Sequence, residues 1–218
     1  GNFGPLAVNL GLRAPFFTRD LNQNCFTTSA SGFVDCFGLT DPRNAAYAAV
    51  NPTVQGPQQR VFKYDKLLPN VGFTFEISPT MNAFASYAKG LSVPGTDNLY
   101  NSFFFAEGTP QAQPAPETTD SFDGGLRFRS GRLQAQVSGW YTAYQNRQAS
   151  AYDPVLDATV YRNLGDVKKY GVDGSVSFAP IPSLVAYVFG SYLKSEIEED
   201  VQLGATAFAP TAGKREAG

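Results

Sequence analysis

The 218-residue sequence has no histidine, only two cysteines, and a single tryptophan and methionine. The lack of histidine excludes Ser-His-Asp and Cys-His hydrolysis, HExxH metalloproteolysis, haem ligation through imidazole and most zinc catalysis. The formal net charge of −2 gives none of the concentrated basic surface that nucleic acid binding requires. We therefore expect a protein that is not an enzyme, carries no cofactor or metal, and has no nucleic acid partner.

Charged residues are also scarce, at 17% of the chain, whereas aromatic residues reach 14%, and the chain has 21 glycines and 15 prolines. This composition favours strands and turns. The sequence opens without the basic region and apolar stretch of a secretory signal, so either a signal was removed or the chain is an internal fragment. The uncharged run 174–193 contains Pro180 and Pro182, and it reads as strand, tight turn and strand rather than as a membrane-spanning helix.

Polar and apolar residues alternate along several segments. In 133–139 one parity holds Leu, Ala, Val and Gly, and the other holds Gln, Gln and Ser, with Trp140 breaking the rule just beyond. The same alternation appears in 6–13, 71–77 and 122–129, and it predicts strands with one apolar and one polar face. The segment 183–193 does not alternate, and its pattern assigns no faces.

The alternation predicts seven strands joined by connections of very unequal length. Short and long connections follow each other without exception: the tight turns are 78–80, 130–131 and 180–182, and the long loops are 15–66, 93–118, 148–158 and 198–218. The predicted strands are 5–14, 67–78, 82–92, 119–130, 132–147, 159–179 and 183–197.

In an antiparallel meander, successive connections lie at opposite ends, so all long loops fall on one rim. This asymmetry is typical of outer-membrane barrels, whose strands of about 9–11 residues cross the hydrocarbon. The predicted class is therefore all-β: an antiparallel meander that forms part of a large transmembrane β-barrel with long extracellular loops. The alternative is a soluble β-sandwich, whose strands also alternate but are often shorter, at about 5–6 residues.

Several stretches carry a family resemblance. The sequence Pro-Glu-Thr-Thr-Asp-Ser-Phe-Asp-Gly-Gly-Leu-Arg-Phe at 116–128 resembles the Pro-Glu-x-Ser-x-x-Tyr-Glu-x-Gly-x-Arg stretch of TonB-dependent outer-membrane receptors, with Phe122 and Asp123 replacing the usual Tyr and Glu. The family's Asn-x-Gly and Gly-Val-Glu pair is similar to 161–174, again with Asp for Glu. The segments 67–73 and 85–94 resemble a strand-turn-strand ending in Gly-Phe-Arg-x-Pro, with Ser92 at the arginine position, and 11–17 is also similar to the family.

The resemblance implies that residues 1–218 are a partial barrel domain. Family members have a plug domain, a TonB box and a barrel of roughly 22 strands, and the predicted strands account for a fraction of that. The implied location is the outer membrane of a Gram-negative bacterium. The implied partners are outer-membrane lipid, the protein's own plug, and TonB with its inner-membrane energising complex.

Two groups of loop residues are candidate functional features. Cys25 and Cys36 lie eleven residues apart in the longest loop, and the oxidising cell surface favours a disulfide, with two free thiols as the alternative. Tyr100, Phe103, Phe104 and Phe105 form an aromatic cluster in a second long loop. They are candidate contacts for ligand or plug at the barrel mouth, and the alternative is an aromatic girdle at the membrane interface.

Charged residues supply weaker expectations. Arg127, Arg129, Lys168 and Lys169 are expected to face the lumen or a turn. The acidic run 196–200 holds four carboxylates that could suit calcium, but it lacks the spacing of a defined calcium loop and is more typical of a solvated face.

The leading functional hypothesis is an energised importer of a scarce, large solute of the siderophore, cobalamin or oligosaccharide type. The alternative is a passive porin or a structural or adhesive barrel without energy coupling. A soluble carbohydrate-binding sandwich is a third possibility. The sequence does not identify the ligand, because loops set that choice on a shared scaffold.

Overall fold

The computed structural model describes residues 1–27, 34–50, 54–153, 158–202 and 208–215. In chain order its elements are β1 (Asn2–Phe3), β2 (Leu6–Arg13), β3 (Phe16–Gln23), β4 (Phe26–Thr27), β5 (Val34–Asp35), α1 (Arg43–Val50), β6 (Gln58–Asp65), β7 (Leu68–Ser78), β8 (Met81–Ser92), α2 (Thr96–Asn101), a 3₁₀ helix (Ser102–Phe104), β9 (Glu117–Ser130), β10 (Leu133–Gln145), β11 (Gln148–Asp153), β12 (Ala158–Asn163), β13 (Val167–Ile181), β14 (Leu184–Ile197), β15 (Val201–Gln202) and β16 (Phe208–Ala209). Among these residues, no helix has the length and apolar character to cross a membrane.

Eight of the strands form one antiparallel sheet in the order β1-β2-β7-β8-β9-β10-β13-β14. Neighbouring strands follow chain order, because the intervening strands pair with each other inside the long connections. Within the described part of the chain the sheet does not close, and β1 and β14 are its edges. The predicted class, a partial meander of a large β-barrel, is confirmed.

Each of the seven predicted strands has a counterpart in this sheet, but one prediction is wrong in its bounds. The predicted strand 159–179 is two strands: β12 pairs back onto β11, and β13 begins at Val167. The chain breaks between them at Gly165, whose φ of +75° lies in the left-handed region that favours glycine. The alternating pattern carries no signal for this break, because β12 and β13 have the same parity of polar and apolar residues on either side of it.

The cross-strand register sorts the side chains onto two faces. Val137 lies opposite Leu126 on β9, and Leu126 lies opposite Ala83 on β8. Val137 and Leu126 are 47% and 42% exposed, so this apolar face has nothing packed on it. The opposite face carries the polar parity, including Gln136 and Ser138.

The register also assigns the faces of β14, which sequence pattern left open. Val188 lies opposite Val176, so the even-numbered residues of β14 join the apolar face. Tyr187 and Phe189 lie opposite serines of β13 and project from the otherwise polar face. Since β14 has apolar residues on both faces in this stretch, its sequence does not alternate.

The long connections leave the sheet at one rim and contain secondary structure of their own. Strands β3 and β6 extend the first connection as a two-stranded hairpin, and β11 and β12 do the same in the third. The second connection contains α2 and the 3₁₀ helix. Residues 154–157 of the third predicted loop, and 203–207 and 216–218 of the fourth, lie outside the described residues.

Candidate functional site: the outer loop platform

The largest cluster of packed, buried apolar side chains among the described residues joins the first and second connections. Leu21 of β3 and Phe62 and Tyr64 of β6 pack against Leu99 and Phe103 from the second connection. Leu99 and Phe103 are 0% and 1% exposed, and burying a side chain of this size stabilises by about 1.5–3 kcal/mol. We call this unit, the β3–β6 hairpin together with residues 93–116, the loop platform.

Arg60 clamps the two parts of the platform together. Its guanidinium donates hydrogen bonds to the backbone carbonyls of Ser102 at 2.8 Å, Phe105 at 3.1 Å and Ala112 at 3.3 Å. The guanidinium carbon also lies 5.1 Å from the centroid of the Phe103 ring. Desolvation by burial lowers the pKa of Arg60, and the charge of Glu107 opposes that shift. One cation therefore joins β6 to three backbone carbonyls of the second connection.

Tyr64 makes a second link between hairpin and loop. Its hydroxyl donates to the carbonyl of Pro114 at 3.0 Å. Burial raises the pKa of Tyr64 to about 12, because the phenolate would lose its hydration. The hydroxyl thus remains a neutral donor at physiological pH.

The base of the third connection holds the same loop from the other side. Gln148 accepts a hydrogen bond from Asn98 at 2.7 Å and donates one to the Ala115 carbonyl at 2.7 Å. Next to it, Arg147 and Glu117 form a partly buried salt bridge of 2.9 Å. Residues 93–116 are therefore fixed at both flanks.

The aromatic cluster singled out from the sequence has divided roles. Phe103 is buried in the platform core, so its side chain packs rather than faces solvent. Tyr100 is 36% exposed and its ring meets Phe103 edge-on at 5.6 Å, while Phe104 and Phe105 are half-buried. The contact of Tyr100, Phe104 and Phe105 with a ligand or plug stays a prediction. The periodicity and composition of the loop carry no signal for the Arg60 clamp, which depends on tertiary contact.

The tip of the first connection is a small lobe. A disulfide joins Cys25 and Cys36, whose Cα atoms are 4.2 Å apart. Beside it the rings of Phe26 and Tyr47 lie 4.5 Å apart, and α1 covers this cluster. Residues 28–33, within the disulfide loop, lie outside the described residues.

A polar contact at the start of α1 accompanies the lobe. Arg43 forms a bidentate pair with Asp41, with distances of 2.9 Å and 2.8 Å to its two oxygens. The hydrogen bond from the Arg43 side chain lowers the pKa of Asp41 to about 2. This pair fixes the turn into α1.

The charged residues expected in the lumen fall on both faces. Arg127 lies on the polar face, where it donates to Gln136 at 3.1 Å and stacks at 4.0 Å over the Phe84 ring. Lys168, however, has the parity of the apolar face and pairs with Glu198 at 3.0 Å near the loop rim. Lys168 is the second residue of β13, next to the connection 164–166, so it lies near a turn, which is one of the two expected positions, and its parity is not that of the polar face.

The acidic run is engaged in protein contacts. Glu196 and Glu198 pair with Lys168, and Asp200 accepts hydrogen bonds from the backbone N–H groups of Thr211 and Ala212. Among the described residues no group of three or more acidic, cysteine or histidine side chains is arranged to hold a metal ion.

A groove of about 600 Å³ runs along the platform between β6 and the segment 112–116. Its lining includes Lys63 of β6, Glu107 and Pro114. A volume of this size is in the range of small-molecule binding sites, about 300–1,000 Å³.

The sheet has tight turns at one rim, structured loops at the other and an exposed face of apolar side chains. These features define the class of the protein as a section of the wall of an outer-membrane β-barrel. Within that class the chain belongs to the TonB-dependent receptor-like β-barrel family, whose model matches residues 2–214. Members of this family are outer-membrane receptors and transporters of Gram-negative bacteria.

Solved structures share the fold at low sequence identity. They include the siderophore receptor PiuA from Acinetobacter baumannii (18% identity, TM-score 0.61, covering 97% of this chain and 26% of that one). A second is the ferric yersiniabactin uptake receptor FyuA from Yersinia pestis (14% identity, TM-score 0.60, covering 96% of this chain and 27% of that one). A third is the copper transporter OprC (14% identity, TM-score 0.62, covering 89% of this chain and 27% of that one). The chain therefore spans about a quarter of the length of these structures. Among curated proteins no match was found.

Proposed function

We propose that residues 1–218 form part of the barrel domain of an outer-membrane receptor that imports a scarce, large solute with energy supplied through TonB. The observation that carries the proposal is the family match over residues 2–214. In this proposal the protein resides in the outer membrane of a Gram-negative bacterium, and its own plug domain fills the lumen behind the loops.

The loop platform supports a binding role at the outer rim. Its core residues, such as Leu99 and Phe103, are buried, and Arg60 and Gln148 hold residues 93–116 from two sides. A preformed surface loses less conformational entropy when a solute binds than a flexible loop does. The contacts of the platform do not select one class of solute. The proposal therefore includes solutes of the siderophore, cobalamin and oligosaccharide types.

Uptake by the full-length receptor tests the proposal. Cells that express it, with and without TonB, are given separately a panel of radiolabelled ferric siderophores, cobalamin, copper and maltooligosaccharides. The expected result is accumulation of at least one solute that needs both the receptor and TonB. A passive porin would give equal accumulation without TonB, and an adhesive barrel would give none; either result contradicts the proposal.

A further inference from the structure

The groove beside β6 runs along a strand edge. Six consecutive residues of β6, 59–64, line it, whereas no residue of the partner strand β3 does. Because successive side chains of a strand point to opposite faces, a groove on one face would be lined by alternate residues. Consecutive lining residues therefore place the groove at the free edge of β6.

The backbone hydrogen bonds show which groups that edge presents. The N–H of Lys66 donates to the Pro15 carbonyl, and this pair continues the β3–β6 register. Hydrogen-bonded pairs in an antiparallel ladder alternate with pairs whose N–H and C=O groups point outward. The outward groups on β6 are consequently those of Gln59, Val61, Lys63 and Asp65, of which the first three residues line the groove. Within residues 58–65 and 112–116, both fully described, no backbone hydrogen bond joins β6 to the segment across the groove.

The opposite wall cannot complete the ladder. Pro114 and Pro116 have no N–H to donate, and the segment is held away from the edge by side chains. Tyr64 reaches the Pro114 carbonyl and Arg60 reaches the Ala112 carbonyl. The result is a slot with, among the described residues, an unpaired strand edge on one side and a proline-rich wall on the other.

We propose that this slot binds an extended solute with regularly spaced amide groups, a peptide-like chain, which pairs with β6 as an added strand. Backbone pairing of this kind recognises the spacing of N–H and C=O groups and not a particular side chain. Lys63 and Glu107, which both line the groove, offer one positive and one negative side chain to the solute's carboxylate and amine groups. The inference rests on the proposed uptake function, because it names the class of solute bound at the platform.

The register supplies a matched pair of variants. Val61 and Asp20 lie directly opposite each other in the β3–β6 ladder, and both turn their N–H groups outward, toward opposite edges. Val61→Pro removes the N–H that faces the groove, and Asp20→Pro makes the same change at the other edge. Neither proline removes a backbone hydrogen bond of the hairpin, and edge strands tolerate proline at such positions. Asp20→Pro also removes the exposed side-chain hydrogen bond that Gln59 donates to Asp20 at 3.3 Å, and Asp20→Ala, which loses that bond but keeps the N–H, controls for it.

The test measures binding of a fluorescein-labelled six-residue peptide of alternating threonine and valine to the purified full-length receptor, by fluorescence anisotropy. We expect saturable binding that weakens at least tenfold in Val61→Pro and less than twofold in Asp20→Pro. The same peptide with every backbone amide N-methylated should not bind the unaltered receptor. This control does not depend on the folding of any variant. No saturable binding, equal binding by both variants, or binding of the N-methylated peptide would overturn the inference. TonB plays no part in this measurement, so its outcome is independent of the uptake experiment.

Discussion

Trp140 occupies the space in which a side chain at Gly171 would stand. The two residues lie directly opposite each other on β10 and β13, and a Cβ atom built at Gly171 would be 2.8 Å from Cζ2 of the indole. The same Cβ would also meet the backbone carbonyl of Tyr192. Trp140, which interrupts the polar parity of β10, is thus accommodated by a glycine on the neighbouring strand.

Gly171→Ala should destabilise the barrel wall, since the added methyl group meets both a ring and a backbone oxygen. Overpacking of this kind costs about 1–3 kcal/mol. The measurement is the thermal unfolding midpoint of the full-length receptor in detergent. Gly174→Ala is the control, because a Cβ there would meet only the Gln136 carbonyl at 3.9 Å. An equal fall in both unfolding midpoints would mean that Trp140 is not the reason for a glycine at position 171.

Arg60→Ala should loosen residues 99–112 while leaving the sheet intact. Hydrogen bonds to a charged group are worth about 1.5–3 kcal/mol each, so loss of the clamp should raise amide exchange in this segment by at least about tenfold. Hydrogen exchange with mass spectrometry of the full-length receptor measures this. Arg19→Ala, on the neighbouring strand opposite Phe62, should leave exchange unchanged. Protection retained in Arg60→Ala would show that apolar packing alone holds the loop.

Removal of the disulfide should open the lobe at the tip of the first connection. In the chain-entropy model a bridge over a loop of this length contributes about 3 kcal/mol. Cys25→Ser together with Cys36→Ser should therefore speed protease cleavage between residues 24 and 57, with the rest of the chain cut as before. If cleavage rates are unchanged, the aromatic contacts of Phe26, Phe37 and Tyr47 suffice to close the lobe.

Tyr64 should give the platform an alkaline limit. Burial raises the pKa of Tyr64 from 10.0 to about 12. As the pH rises, the Tyr64 hydroxyl therefore loses its proton in the unfolded loop before it does so in the folded loop. The stabilising neutral form is fully present below pH 10 and is lost as pH rises toward 12. A phenolate absorbance titration of the receptor minus that of Tyr64→Phe should show a midpoint near 12. A difference midpoint near 10 would place the hydroxyl in solvent.

Much of the sheet follows from the sequence because its strands obey a simple period. Val137 and Leu126 share the apolar parity that was assigned from alternation, and the turn at Gly131 lies where a tight connection was expected. Lys168 and β14 show the limit of this reasoning. Lys168 is a charged residue at a position of apolar parity beside the rim, and β14 carries apolar residues on both faces. The break at Gly165 leaves the parity on its two sides the same, so alternation does not detect it.

The loop platform was less predictable, for a physical reason. Loops were recognised by their length, but their internal contacts join residues far apart in sequence, such as Arg60 with Ala112 and Gln148 with Asn98. Local patterns carry no information about such pairs. The aromatic run 103–105 drew attention as a contact surface, and the structure gives its first member a place in the core.

The central claim is that one parity of the sheet contacts lipid and the other faces the lumen. Val137 lies midway along the apolar parity of β10, and Ser175 projects from the polar face of the neighbouring strand, two residues from the carboxylate of Asp173. Folding free energies of the full-length receptor in lipid, with Val137→Arg and Ser175→Arg, test it directly. The account predicts a loss of about 2–4 kcal/mol for Val137→Arg and little change for Ser175→Arg. Equal effects, or a larger loss for Ser175→Arg, would contradict it.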